Sequence, residues 1–242
     1  MLSWKWRFFA ILLFISASCK TAYPDVLDQI RESGKLFKDF SATAVVVFVD
    51  KEELKKISKS TAQSFDLKEA KILYKYPDKL KMTGKVGLLR VELIKNGDIQ
   101  IIRVPALKIS RKDDFDDEPQ RRQTPLDIGI ISDAMWRDFD ITFEGEKTIG
   151  GVRQIILHLK RKTVNRTQRI WIDADTLRLA KREKYDAEGK LKDRFIFTDS
   201  KKIEGIWVPG RIEAHTSSGK IAGITEYRGV KINTGISDSE FK

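Results

Sequence analysis

From Ser41 onward the chain is dominated by short runs in which apolar and polar positions alternate, the spacing of strands with one face on a core. The β-branched run Ala42–Val49 predicts the first strand, and 71–76, 79–83, 90–95 and 98–104 follow in quick succession. Asn96-Gly97, between the last two, is a hairpin turn signal because both residues accept positive φ. In a second series Ile155, Leu157 and Leu159 alternate with Ile156, His158 and Lys160, followed by 170–173, 177–185, 191–199, 206–215 and 221–232. Glu188-Gly189, Glu204-Gly205 and Ser218-Gly219 supply turns between them. Strand after strand at this spacing predicts an antiparallel sheet that curls.

Two stretches change to helical spacing. Pro24-Asp25 opens the first, which runs over 24–38 with Val26, Leu27, Ile30, Gly34 and Phe37 close to one face. Thr124-Pro125 opens the second, over 125–137, with Leu126, Ile130, Ile131, Ala134, Met135 and Trp136. Residues 51–60, with Leu54 and Ile57 three apart, read as a short helix or a long loop. Residues 111–123 hold nine charged side chains and Pro119, and predict an exposed loop.

Composition adds a compartment. A hydrophobic share of 41% suffices for a packed core, and no repeat or composition break divides the 242 residues. Lys5 and Arg7 precede the apolar run Phe8–Ile15, which is too short to span a bilayer and predicts a signal peptide over 1–18. The single Cys excludes a disulfide framework. Its place at Cys19, after Ser16-Ala17-Ser18, resembles the lipidated Cys of a bacterial lipoprotein, although Ser16 stands where a Leu is usual. An ordinary signal-peptidase cut in that stretch is the alternative. Removal of 1–18 takes Lys5 and Arg7 away and lowers the net charge from +11 to +9. On an exported chain that charge favours an anionic membrane surface over nucleic acid. Lys20 rather than Asp after the Cys favours, by resemblance, the outer membrane.

Signals for chemistry are weak. The two imidazoles, His158 and His215, fall on separate predicted strands and belong to no nucleophile or metal motif. Asp113, Asp114, Asp116, Asp117 and Glu118 match no calcium-loop spacing and are flanked by Arg111, Lys112, Arg121 and Arg122. There is no phosphate-binding glycine loop. The expectation is a protein that is not an enzyme, with no metal and no cofactor.

Four segments together resemble the outer-membrane lipoprotein-sorting family, the LolA/LolB-like carriers and receptors. They are Leu73-Tyr74-Lys75-Tyr76-Pro77-Asp78-Lys79-Leu80-Lys81-Met82; Trp171-Ile172-Asp173 with Leu177 and Asp186–Lys190; Glu204-Gly205-Ile206-Trp207-Val208-Pro209; and Ile232-Asn233 with Gly235–Asp238 and Phe241. Their order covers roughly residues 25–242. The resemblance implies a mainly β fold over 19–242: an unclosed, strongly curved antiparallel β-barrel, with about two helices filling or lidding the concave face around an apolar cavity for acyl chains.

Residue by residue, Leu80 and Met82 match cavity-facing positions of that family. Tyr76 stands where carriers can place a gating Arg before the Pro, a departure that suits an anchored receptor better than a soluble carrier. Alternation and helix placement add Met135, Trp136, Phe139, Phe195, Phe197 and Trp207 as candidate cavity residues, with plain core packing as the alternative for each. The implied function is a periplasm-facing, outer-membrane-anchored protein that holds lipid or lipoprotein acyl chains for sorting or transfer. Its partners would be those chains, a membrane surface, and a carrier or receptor protein of a sorting pathway, without nucleic acid. A soluble periplasmic protein is the alternative location. An envelope adapter or stress sensor on the same fold, without lipid carriage, is the rival function.

Overall fold

The computed structural model describes residues 23–114, 116, 118 and 122–242. The signal-peptide and Cys19 expectations fall outside those residues. In chain order the strands are β1 (Asp39–Val49), β2 (Glu69–Lys75), β3 (Lys79–Val86), β4 (Leu89–Asn96), β5 (Ile99–Val104), β6 (Ile109–Asp114), β7 (Phe139–Ile149) and β8 (Val152–Arg161). They continue as β9 (Thr167–Asp173), β10 (Leu179–Tyr185), β11 (Leu191–Thr198), β12 (Lys201–Ile203), β13 (Ile206–Val208), β14 (Arg211–Thr216) and β15 (Ile221–Ile232). Thirteen of these form one sheet in the order β6-β5-β4-β3-β2-β1-β15-β14-β11-β10-β9-β8-β7, and β12 and β13 make a separate hairpin. Neighbouring strands are antiparallel throughout, for example β1 with β2 and β15. The end strands β6 and β7 do not pair with each other, so the barrel is curved and unclosed.

Period-two alternation gives this sheet an inner face that is packed. Phe40, Tyr74 and Leu80 lie in register across β1, β2 and β3, as do Ala42, Ile72 and Met82. Ile128, Ile130, Ile206 and Val208 pack on them. Across the other half, helix α1 (Tyr23–Gly34) places Ile30 against Leu126, Met135, Phe139, Leu157 and Ile170. Each fully buried Leu, Ile or Phe stabilises by about 1.5–3 kcal/mol. Helices α2 (Lys51–Ile57) and α3 (Lys59–Ser64) follow β1, and Leu54 and Ile57 seat on Ala214 and Ala222. Asp50 caps α2 by accepting from the Glu52 and Glu53 amides, both at 3.1 Å.

The outer face of β2–β5 is covered by the chain's own C-terminus. The buried Asp39 carboxylate accepts from the amides of Thr234 (2.8 Å), Gly235 (2.9 Å) and Ile236 (3.3 Å), which turns the chain away from β15. Phe241 then packs with Leu73 and Ile94, with Ile101 and Ile236 around them. Lys75 and Lys79 hold Asp238 at 2.8 and 3.0 Å. Among the described residues the buried apolar side chains run from Ile30 to Phe241.

Several sequence expectations need correction. The helix over 125–137 is not continuous: a 3-10 turn (Pro125–Ile128) and helix α4 (Ala134–Asp138) flank an irregular stretch. Gly129 ends the turn at φ +80°, and a Cβ there would sit 2.6 Å from Pro209 and 2.8 Å from Phe197. The non-helical backbone then lets adjacent Ile130 and Ile131 point into different core clusters, which one helix face cannot do. The first helix stops at Gly34 rather than 38, where a Cβ would meet the Ser132 backbone at 2.7 Å. The strand expected over 206–215 breaks at Pro209-Gly210 into β13 and β14. Part of the charged 111–123 stretch is edge strand β6, paired with β5 despite its charge. β7 had no counterpart in the alternation reading, because Asp140, Thr142 and Glu144 face outward and a bulge at Phe143–Gly145 breaks the period-two pattern after them.

Candidate functional site

The candidate cavity residues do not share one space. Tyr76, Leu80 and Met82 belong to the cluster under β1–β3, with Leu80 buried and the other two half-buried. Met135, Phe139 and Phe197 are closed beneath α1 at 1–3% exposure, and Trp136 and Phe195 flank them half-buried. The Arg31 guanidinium lies 5.8 Å from the Trp136 ring centroid and the Lys184 ammonium 5.1 Å from that of Phe195. Trp207 stands apart on β13, opposite the core side of Ile206 and Val208, and its indole Nε1 is buried without a partner among the described residues. Four of the nine (Leu80, Met135, Phe139 and Phe197) are therefore packed core in this conformation.

The apolar surface left open on the inner face lies one step further along the sheet. Register places Met82, Leu93 and Ile102 opposite one another on β3, β4 and β5, and all three are half-buried. Val91 on β4 and Val104 on β5 extend the same face toward the hairpin tips. On the outer face of the same strands Ile94 is 1% exposed beneath Phe241. One side of this arm is thus sealed by the tail, and the other presents a half-open apolar stripe. The family resemblance marked Met82, and alternation along the strands could not separate a covered row from an open one.

The segment 122–138 closes the end of the barrel that carries the β2–β3 and β4–β5 turns. Arg122 pairs with Asp98 in the β4–β5 turn, and Arg137 lies 3.7 Å from Asp78 in the β2–β3 turn. Tyr76 takes part in this closure: its phenol pKa is raised, first by burial and then by the Asp133 carboxylate. Asp127 is the third anchor. It accepts from the Thr124 amide at 2.8 Å and from Arg182 on β10 at 2.8 Å, while Lys184 lies at 3.5 Å. Arg182 is itself buried and also donates to Gln168 at 2.7 Å. Burial alone would raise the Asp127 carboxyl, but Arg182, Lys184 and the Thr124 amide hold it well below the usual range.

Asp193 on β11 faces the same cluster with the opposite balance. Burial pushes its carboxyl up against the pull of Lys184 and Arg182, and its Oδ1 has no hydrogen-bond partner among the described residues. A folded pKa above the unfolded value of about 3.9 means that the ionised form costs stability at neutral pH. That cost vanishes at pH values below the unfolded pKa, where Asp193 is protonated in both states. Asp193→Asn is expected to raise the urea midpoint at pH 7 and to lose that advantage at pH 3. An unchanged midpoint at pH 7 would contradict this balance.

Two surface clefts lie elsewhere. One of about 490 Å³ is lined by Thr43, Lys71, Leu73, Lys231 and Ile236 under the C-terminal tail. The other, of about 370 Å³, is lined by Gly145, Ile156, Arg169 and Trp171 near the free β7 edge. Neither contains a candidate cavity residue. His215 lies between the Gly219 carbonyl (3.1 Å) and Glu213 (3.2 Å), on a strand separated from that of His158 by three others. Among the described residues no group of three His, Cys, Asp or Glu side chains is placed to hold a metal. No helix among them is long and apolar enough to cross a membrane.

Comparison with known proteins bears on the fold. A family model described as an uncharacterized protein matches residues 127–242. No curated protein matches the chain. A DUF1329 family protein from Desulfovibrio piger superposes with a TM-score of 0.59 at 16% identity, covering 90% of this chain and 95% of that one. A LolA superfamily protein from Nitrosomonas europaea gives 0.57 at 16% identity, with 90% and 94% covered. An outer membrane lipoprotein-sorting protein domain from Vibrio parahaemolyticus gives 0.56 at 12% identity, with 90% and 95% covered. The unclosed sheet, the inner helices and these superpositions together give the chain the fold of the LolA-like lipoprotein-sorting proteins.

Proposed function

We propose that this protein is a non-enzymatic binding protein of the bacterial envelope. It holds acyl chains of a lipid or lipoprotein against the inner face of β3–β5 and passes them to or from a membrane or a carrier protein. The observation that carries this reading is the half-open stripe of Met82, Val91, Leu93, Ile102 and Val104 on strands whose other face is sealed. Such a surface suits a flexible hydrocarbon chain, each methylene of which gains about 0.8 kcal/mol on burial. Transfer then needs only a difference in burial between donor and acceptor, and no bond is broken. The names of the superposed lipoprotein-sorting and LolA superfamily proteins support the same cargo class. The signal-like N-terminus supports a periplasm-facing location, with Cys19 as the lipid anchor at the outer membrane.

Displacement of a fluorescent fatty acid tests the site. Leu93→Asp and Ile102→Asp are each expected to weaken fatty-acid binding about tenfold or more. Both positions are half-exposed, so the introduced carboxylate can reach water and the fold survives. Wild-type-like affinity in both variants would remove the β3–β5 stripe from the reading.

A further inference from the structure

The cleft of about 490 Å³ on the outer face of β1, β2 and β15 belongs neither to the packed core nor to the acyl stripe. Register builds its floor. Outward Ser41 and Thr43 on β1 stand beside Leu73 and Lys71 on β2, and Ser41 also stands beside Lys231 on β15. Opposite Ala42, β15 carries two residues, Gly229 and Val230, a bulge in which Gly229 takes φ +60°. A Cβ on Gly229 would meet open space, so the bulge leaves this side of the cleft clear. The C-terminal segment supplies the opposite wall with Ile236 and Ser237, fixed in place by the Asp39 carboxylate.

Charge in this cleft is unbalanced. The acids of the tail are engaged by other lysines: Asp238 by Lys75 and Lys79 at 2.8 and 3.0 Å, and Glu240 at the cleft edge by Lys81 at 3.2 Å. Lys71 and Lys231 are left with no acidic partner among the described residues. In the second cleft, by contrast, Arg169 is held by Glu144 and Glu146 by Arg153. The hydroxyls divide in the same way. Thr234 donates to Asp39 at 3.1 Å and Ser237 pairs with Ser239 at 2.8 Å, whereas Ser41 and Thr43 have no side-chain hydrogen bond among the described residues.

Two free ammonium groups beside two free hydroxyls match a phosphate ester, which brings close to two negative charges and three strong acceptor oxygens. A carboxylate offers half that charge. Leu73 and Ile236 give the organic part an apolar side, and the volume is in the range of small-molecule sites.

We propose that this cleft binds the phosphate group of a small organic phosphate monoester, with Lys71, Lys231, Ser41 and Thr43 as its donors. The site lies on the sheet face opposite that of the acyl stripe, so it stands without the acyl-holding reading. A bound ester would tie the tail to β1, β2 and β15 through its contacts on both walls.

Calorimetric titration of the purified protein with sn-glycerol 3-phosphate, at an ionic strength of about 0.15 M where distant surface charges are screened, tests the cleft. Saturable binding is expected, and Lys71→Gln/Lys231→Gln is expected to weaken it about tenfold or more. Both lysines are exposed, so the fold survives their replacement, and circular dichroism checks that it does. Lys85→Gln/Lys108→Gln removes the same charge at exposed positions outside the cleft and is expected to leave the affinity unchanged. D-Glycerate, with a carboxylate in place of the phosphate, is expected to bind much more weakly. Binding of the glycerol ester alone marks a free phosphate ester as the ligand, and equal binding of monomeric dihexanoyl-phosphatidic acid marks a lipid headgroup; each supports the site. No binding of the ester, unchanged affinity in the Lys71/Lys231 variant, equal loss in both double variants, or equal affinity for glycerate would overturn the proposal.

Discussion

Replacing Arg182 with alanine is expected to lower the unfolding free energy by about 3–5 kcal/mol, the range for removing one partner of a buried ion pair. Arg182 is 3% exposed, and its guanidinium serves Asp127 at 2.8 Å and Gln168 at 2.7 Å. Without it the Asp127 carboxylate keeps only Lys184 at 3.5 Å and the Thr124 cap, and Gln168 loses its donor. Arg182→Met, which fills the volume but carries no charge, is expected to recover little, because the partly buried Asp127 carboxylate is still left short of a partner. The pH dependence has a fixed sign. Asp127 has a folded pKa below its unfolded value, so its contribution is present above about pH 4 and is lost as pH falls through the folded value. The penalty of Arg182→Ala therefore shrinks in acid. Urea unfolding of both proteins at pH 7 and pH 3 measures it, and an equal penalty at the two pH values would show that packing rather than the ion pair dominates.

Phe241→Ala is expected to cost about 3–4 kcal/mol although it changes the penultimate residue of the chain. Chain ends ordinarily fray and tolerate substitution. Here the ring is 1% exposed and closes a cluster with Leu73 and Ile94 on the outer face of β2–β4. Its loss leaves a cavity over strands whose inner face is only half covered, so this arm loses its better-packed side. Hydrogen exchange on β3–β5 is expected to accelerate more than on β8–β10. A fall in stability under 1 kcal/mol would mean that the tail is an ornament on the sheet rather than part of its core.

The strand series was legible because alternation is local. Ala42, Ile72 and Leu80 mark inner positions, and the β4–β5 turn falls on Gly97-Asp98, one residue past the Asn96-Gly97 signal, with Gly97 at φ +59°. The spacing of Leu126, Ile130 and Ile131 imitates a helix over 125–137, while the chain divides these three between two clusters. Strand β7 escaped notice because its outward acidic residues outweigh Phe139, Ile141 and Phe143 in a linear reading. The candidate site was legible only in outline. Whether an inward side chain lines an open surface depends on which distant element covers it. α1 covers Phe139, and among the described residues nothing covers Leu93 to the same degree. The Asp127–Arg182 anchor joins residues 55 apart in sequence and carries no local signal.

Mass spectrometry of lipid retained by the purified protein tests the central claim most directly. Organic extraction of the wild-type protein, purified without detergent from an envelope fraction, is expected to yield stoichiometric fatty acid, phospholipid or acylated peptide. The Leu93→Asp/Ile102→Asp variant, folded by circular dichroism, is expected to yield several-fold less. A folded wild-type protein that retains no acyl-chain compound and displaces no fluorescent fatty acid would contradict the account and favour an adapter on the same fold.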